Sequence, residues 1–143
     1  MTISLNTLRS NIFTDVYAVI NSNVSDPLTR GKQWIFSTMP NTDAPNFIGF
    51  PLIVISKGRV MKEFDVFDND YSDKRTPIII TIYSTSNAQL DSLSDSVDAV
   101  MTPSNFPQFN FYDYSESDST TDLGGGKVYF RTMTHFVILE DLS

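Results

Sequence analysis

His135 is the only histidine, and the chain has no cysteine. Those two facts restrict the available chemistry before any fold is considered. Thiol catalysis, disulfides and thiolate zinc sites are excluded. A serine triad needs a histidine base, so at most one can be built, and no G-x-S-x-G elbow is present. His135 falls inside an alternating run of residues and reads as a packing residue of a strand. The acidic run DVFDNDYSDKR offers Asp65, Asp68, Asp70 and Asp73 as oxygen ligands. A calcium loop needs Gly at its sixth position and Glu at its twelfth. Counted from Asp68, those places hold Asp73 and Ile79, so the run reads as a solvated turn. Gly124-Gly125-Gly126-Lys127 has the lysine of a phosphate loop, but Thr121 stands where the first Gly belongs and Val128 where Ser or Thr belongs. It reads as a flexible hinge before the last strand. Asp91, Asp95 and Asp98 share one helical stripe, and no spacing puts two carboxylates into one pocket. No catalytic, cofactor or metal site is legible.

What remains is a question of surfaces. The net charge is −7, which makes the chain a poor general binder of phosphate backbones. The charge is also divided. Residues 1–62 hold six Lys/Arg against three Asp, and residues 63–143 hold four against fourteen Asp/Glu. A basic part and an acidic part on one subunit suit docking between copies, alongside the simpler reading of a solvated acidic face. No apolar run is long enough for a membrane span, and the start MTISLNTLRS lacks the pattern of a signal peptide. The expectation is a soluble intracellular or virion-type chain.

The elements that position these residues follow from periodicity. With 143 residues, the chain is expected to form a single domain over 1–143. Leu5, Leu8, Ile12, Val16 and Val19 recur at helical spacing and predict a helix over about 4–21. Leu90, Leu93, Val97, Val100 and Met101 predict a second over about 87–102, capped by Ser86 or Asn87 and stopped by Pro103. Strands are predicted over 32–37, 51–56, 59–67, 75–84, 109–114 and 127–139. Ile78, Ile80 and Ile82 share one face of the 75–84 strand, and Ile79, Thr81 and Tyr83 the other, so this strand is central. In the 109–114 strand, Phe109, Phe111 and Asp113 oppose Asn110, Tyr112 and Tyr114. Loops are predicted at 38–49, 67–74 and 115–126. The fold class is α+β: a mainly antiparallel sheet with two helices packed on one face. The aromatic clusters Phe47/Phe50 and Phe106/Phe109/Phe111/Tyr112/Tyr114 are assigned mostly to the core, with a remainder suited to an apolar protein contact.

The order of segments adds a resemblance. An N-terminal helix and a polar loop lead to Phe50-Pro51 and the apolar strand Leu52-Ile53-Val54-Ile55. A polar arm follows. Then a strand runs directly into an amphipathic helix, TPIIITIYSTSNAQLDSLSDSVDAVM from Thr76 to Met101, and the chain closes with an aromatic strand, a polar loop and KVYFRTMTHFVIL. This resembles the tail terminator (tail completion) proteins of tailed bacteriophages over nearly the whole chain, most specifically over Thr76–Met101. The loop 38–49 and the arm 59–74 have no residue-by-residue counterpart in that pattern.

The resemblance implies a structural virion neck protein without enzymatic activity or cofactors. It implies a homo-oligomeric ring, a hexamer, that caps the tail tube and ends its polymerisation. The tail tube protein and a head completion or connector protein would be partners. DNA would pass through the ring without sequence-specific binding. The location would be the virion tail and neck, reached through the host cytoplasm. On this reading the arm is the candidate interface: Arg59, Lys62, Phe64, Asp65, Phe67, Asp68, Asp70 and Asp73, apolar side chains set among charges. Two alternatives stand beside it. One is an acidic binding module that inhibits a basic partner, in the manner of immunity proteins. The other is another head–tail connector subunit.

Overall fold

In a computed structural model of the chain, described for residues 5–57, 61–64, 71–123 and 125–139, two helices lie against one mixed sheet. Side chains are described within 12–56, 75–123 and 125–138. Helix α1 spans Leu5–Asn23 and α2 spans Asn87–Val100. The strands are β1 (Ile35–Phe36), β2 (Leu52–Lys57), β3 (Met61–Phe64), β4 (Tyr71–Ser84), β5 (Phe109–Leu123) and β6 (Gly126–Leu139). The sheet order is β1-β2-β4-β6-β5, with β3 paired to β4 beyond the reach of β2. Every pairing is antiparallel except β1 with β2. The α+β class with helices on one face is therefore what the chain adopts. No described helix is long and apolar enough to cross a membrane.

The core forms where the two periodicities meet. Ile12, Val16, Ile20 and Val24 make the seam of α1, and Leu90, Leu93 and Val97 that of α2. They close over Ile53 and Ile55 of β2, Ile78, Ile80 and Ile82 of β4, and Met133 and Val137 of β6. The i, i+4 series from Ile12 displaces Val19 to the flank of the seam and puts Ile20 in it. Leu5 and Leu8 lie among residues whose side chains are not described. Ser86 caps α2 by accepting the N–H of Gln89, and the buried Ser84 hydroxyl bonds to Gln89 Oε1 at 2.7 Å. The strand-to-helix turn therefore satisfies its own polar groups, as a buried turn must.

The predicted loops are where the structure departs most from local pattern. Residues 71–74 of the predicted loop 67–74 belong to β4. Residues 115–123 of the predicted loop 115–126 belong to β5, paired rung by rung with β6 down to Leu123↔Gly126. The supposed hinge is thus a hairpin reversal with only residues 124 and 125 between the strands. Gly125 takes φ +82°, a conformation tight hairpin turns require and side chains resist. The 32–37 strand shrinks to two residues that pair with β2 in parallel. The described part of the arm 59–74 belongs to the sheet: β3 pairs with β4 from Met61↔Arg75 to Phe64↔Tyr71. Where strands lengthen at the expense of predicted loops, a partner backbone supplies the hydrogen bonds that a polar sequence cannot replace with hydrophobic burial.

Beside the β1 pairing, one side chain ties together the two ends of the segment between α1 and β2. Arg30 grips both carboxylate oxygens of Asp26, Nε to Oδ2 at 2.8 Å and Nη2 to Oδ1 at 3.0 Å. The same guanidinium donates to the carbonyls of Gly49 and Pro51 at 3.2 and 2.6 Å. Both side chains are mostly buried, and the Arg30 hydrogen bond holds the Asp26 carboxyl below the usual carboxylate range despite its burial. The loop between β1 and β2 has little other regular structure, so this clamp sets where β2 enters the sheet.

Candidate interaction surface

β5 has one partner. Among the described residues it pairs with β6 alone, so it forms a sheet edge 15 residues long, on which the N–H groups of Phe109 and Tyr114 bond to the Phe106 carbonyl and to Asp113 Oδ1. Nearly every side chain from Tyr112 to Thr120 is exposed. Long edges of this kind are usually blunted with Lys or Pro. β5 has neither, only a bulge between Phe111 and Asp113, and its charges are all acidic: Asp113, Glu116, Asp118 and Asp122.

The bulge decides which side chains face the helices. Without it, Asp113 would follow Phe109 and Phe111 on one face. The extra residue at Tyr112 turns Asp113 outward and brings Tyr114, Glu116 and Asp118 to the α2 side, opposite His135, Met133 and Arg131 of β6. The predicted alternation of 109–114 is corrected accordingly.

Three polar arrangements result on that side. Arg131 donates to both oxygens of Asp118, at 2.7 and 2.9 Å, and to Asp91 of α2 at 2.8 Å, so it ties β6, β5 and α2 together. These bonds lower the Asp118 carboxyl and raise the guanidinium above its ordinary value. Both acids are more than half exposed, so the network contributes only about 1 kcal/mol or less per pair. Next to it, the Tyr114 hydroxyl donates to Glu116 at 2.7 Å, and burial together with that bond pushes the phenol up. Beyond Tyr114 lies His135, 5% exposed, with ring contacts to Tyr114 at 4.7 Å and Phe111 at 6.1 Å. Burial lowers its pKa, and Asp98 opposes that shift. Its Nε2 is buried with no hydrogen-bond partner.

Among the described residues, no helix lies over the opposite face of the sheet. Tyr83 stacks on Phe130 at 5.4 Å, and Arg75 lies over the ring of Tyr112, itself 6.3 Å from Phe136. Between them stand the half-buried Ile79, Thr132, Thr134 and Ile138. This mixed apolar face is the second available surface.

Of the predicted arm residues, Arg59, Asp65, Phe67, Asp68 and Asp70 lie outside the described residues. Lys62 and Phe64 are placed in β3 and Asp73 in β4, by backbone alone. The register sets Phe64 opposite Tyr71, and Lys62 opposite Lys74. Among the described residues no group of three or more acidic or histidine side chains is arranged to hold a metal ion. Local sequence carried one signal for what was missed: Asp26 and Arg30 stand four residues apart, as ion-paired side chains often do. Nothing local marks Arg131 or the free Nε2. No protein-family model matches the chain, and neither does any curated protein sequence.

Proposed function

We propose that the chain is a structural subunit of a phage neck: a tail-terminator protein that closes into a ring of six on the end of the tail tube, stops its growth and offers the surface for head joining. The observation that carries this reading is the long acidic edge of β5, which has no Lys or Pro along it. An edge that pairs with a copy of itself would set acid against acid, and like charges opposed across strands are unfavourable. The same edge is suited to a different, more basic surface. Contacts between unlike surfaces of identical subunits run head to tail, and they generate rings when the rotation closes. The first 62 residues supply the positive excess such a contact needs. The direct passage from β4 through a self-capped turn into α2 supports the resemblance at its most specific segment. The uncovered aromatic face supplies apolar area for the tube or the head connector.

Electron microscopy of the virion neck tests the reading. The expected result is a ring of this chain around the channel between tube and head, and overlong, headless tails when the chain is absent. Density for the chain in any other arrangement refutes it. The edge itself is tested by Ser115→Lys with Ser119→Lys, which face Thr134 and Phe130 rather than another cation. Both positions are exposed, so melting should shift by no more than about 2 °C per substitution. Assembly should nevertheless fail, because edge lysines discourage strand pairing.

A further inference from the structure

We infer that the groove between the end of α2 and the bulged start of β5 is a receptor for an arginine side chain presented by a partner polypeptide. The groove encloses about 480 Å³ and is lined by Asp98, Phe111, Asp113, Tyr114 and His135, among others. Two independent observations point to a cationic, hydrogen-bond-donating guest.

The first is charge. Asp98 of α2 lines the groove, Asp113 stands at its outer rim with Oδ1 accepting the Tyr114 N–H, and the adjoining cleft adds Asp95 and Glu116, the latter bonded to the Tyr114 hydroxyl. The cation nearest this cleft, Arg131, is already held by Asp118 and Asp91. The second is His135, a lining residue only 5% exposed whose Nε2 is buried without a hydrogen-bond partner. A buried polar atom left unpaired is costly, and a ligand that pairs it recovers that cost. Neutral imidazole can accept a hydrogen bond at this nitrogen, and burial favours the neutral form.

A guanidinium answers both features. Its planar fork donates to carboxylates and to a neutral ring nitrogen together, and its flat face stacks on tyrosine. Tyr114 is 39% exposed beside the imidazole and supplies that face. The same strand end already shows the contact within the chain, where Arg75 lies 5.3 Å from the Tyr112 ring centroid. A lysine ammonium would meet the acids but lacks the planar face and the fork. The assignment does not depend on ring closure, so either idea can fail while the other stands.

The test uses the full chain and three capped tripeptides, acetyl-Ala-Arg-Ala-amide and its lysine and citrulline counterparts, followed by NMR. With one histidine in the sequence, the His135 ring signal identifies itself. The arginine peptide should move the His135 and Tyr114 ring signals saturably, and the neutral, isosteric citrulline peptide should not. Removing one charge by Asp98→Asn, on the exposed face of α2, should weaken the arginine peptide by about tenfold, the worth of one charge-assisted contact. No saturable shift with arginine, equal response to citrulline, or an unchanged affinity in Asp98→Asn overturns the inference.

Discussion

Leu93→Asp is expected to leave the chain unfolded. Leu93 is 4% exposed, on the face of α2 that closes over the β4 and β6 core. The substitution removes about 2–3 kcal/mol of apolar burial. It also buries a carboxylate that has no partner, at a further cost of several kcal/mol even when the group takes up a proton. A domain of this size has about 5–15 kcal/mol in total, so most of the margin is gone. Circular dichroism and a flat thermal melt would report the loss. Leu93→Ala separates packing from charge. It should fold, with stability reduced by about 3 kcal/mol. Asp95→Ala, two residues further along α2 and exposed, should change stability by no more than about 0.5 kcal/mol. A cooperative, native-like melt for Leu93→Asp would refute the packing of α2 on the sheet.

The second large effect is expected at Arg30. Arg30→Ala strands the mostly buried Asp26 carboxylate and unties the carbonyls of Gly49 and Pro51. Removing one member of a buried pair costs about 3–5 kcal/mol. The lower end applies here because some solvent reaches both groups, and the melting temperature should fall by about 10 °C. Asp26→Asn combined with Arg30→Met should cost clearly less than the sum of the single changes, since neither then leaves an unpaired charge. Additive losses would mean that the ion pair is not coupled.

The same pair dictates an acid response. The folded Asp26 carboxyl titrates below its ordinary value of 3.8, mainly because Arg30 donates to it. Its contribution is therefore complete above that ordinary value and is lost as pH falls through the lower, folded value. Urea unfolding followed from pH 5 downward should show stability falling more steeply in the native chain than in Asp26→Asn. Parallel pH profiles for the two proteins would remove Asp26 from the account.

The α2 stripe, Ile12 and Val16 of α1, the Ile78/Ile80/Ile82 face and a cap at Ser86 or Asn87 were legible in the sequence because each is a local matter. A 3.6-residue or two-residue period and a side chain three residues from the N–H it caps all lie within one turn or one strand. The α+β class followed from the order of those elements. Three things were decided only by tertiary structure. The polar residues 115–123 form a strand because β6 pairs with their backbone. Their side chains are solvated, so no hydrophobic alternation announces them. The bulge at Phe111/Asp113 exchanges the faces of everything after it, and the sequence itself contains no register partner to count against. The Arg30 clamp spans 18 to 21 residues to reach carbonyls of the loop before β2, and Arg131 gathers acids from two other elements. Backbone pairing and long-range hydrogen bonds depend on where the chain returns in space, which is set by burying the core as a whole. The candidate surface is built from those returns, and so it was not readable from any single stretch of the chain.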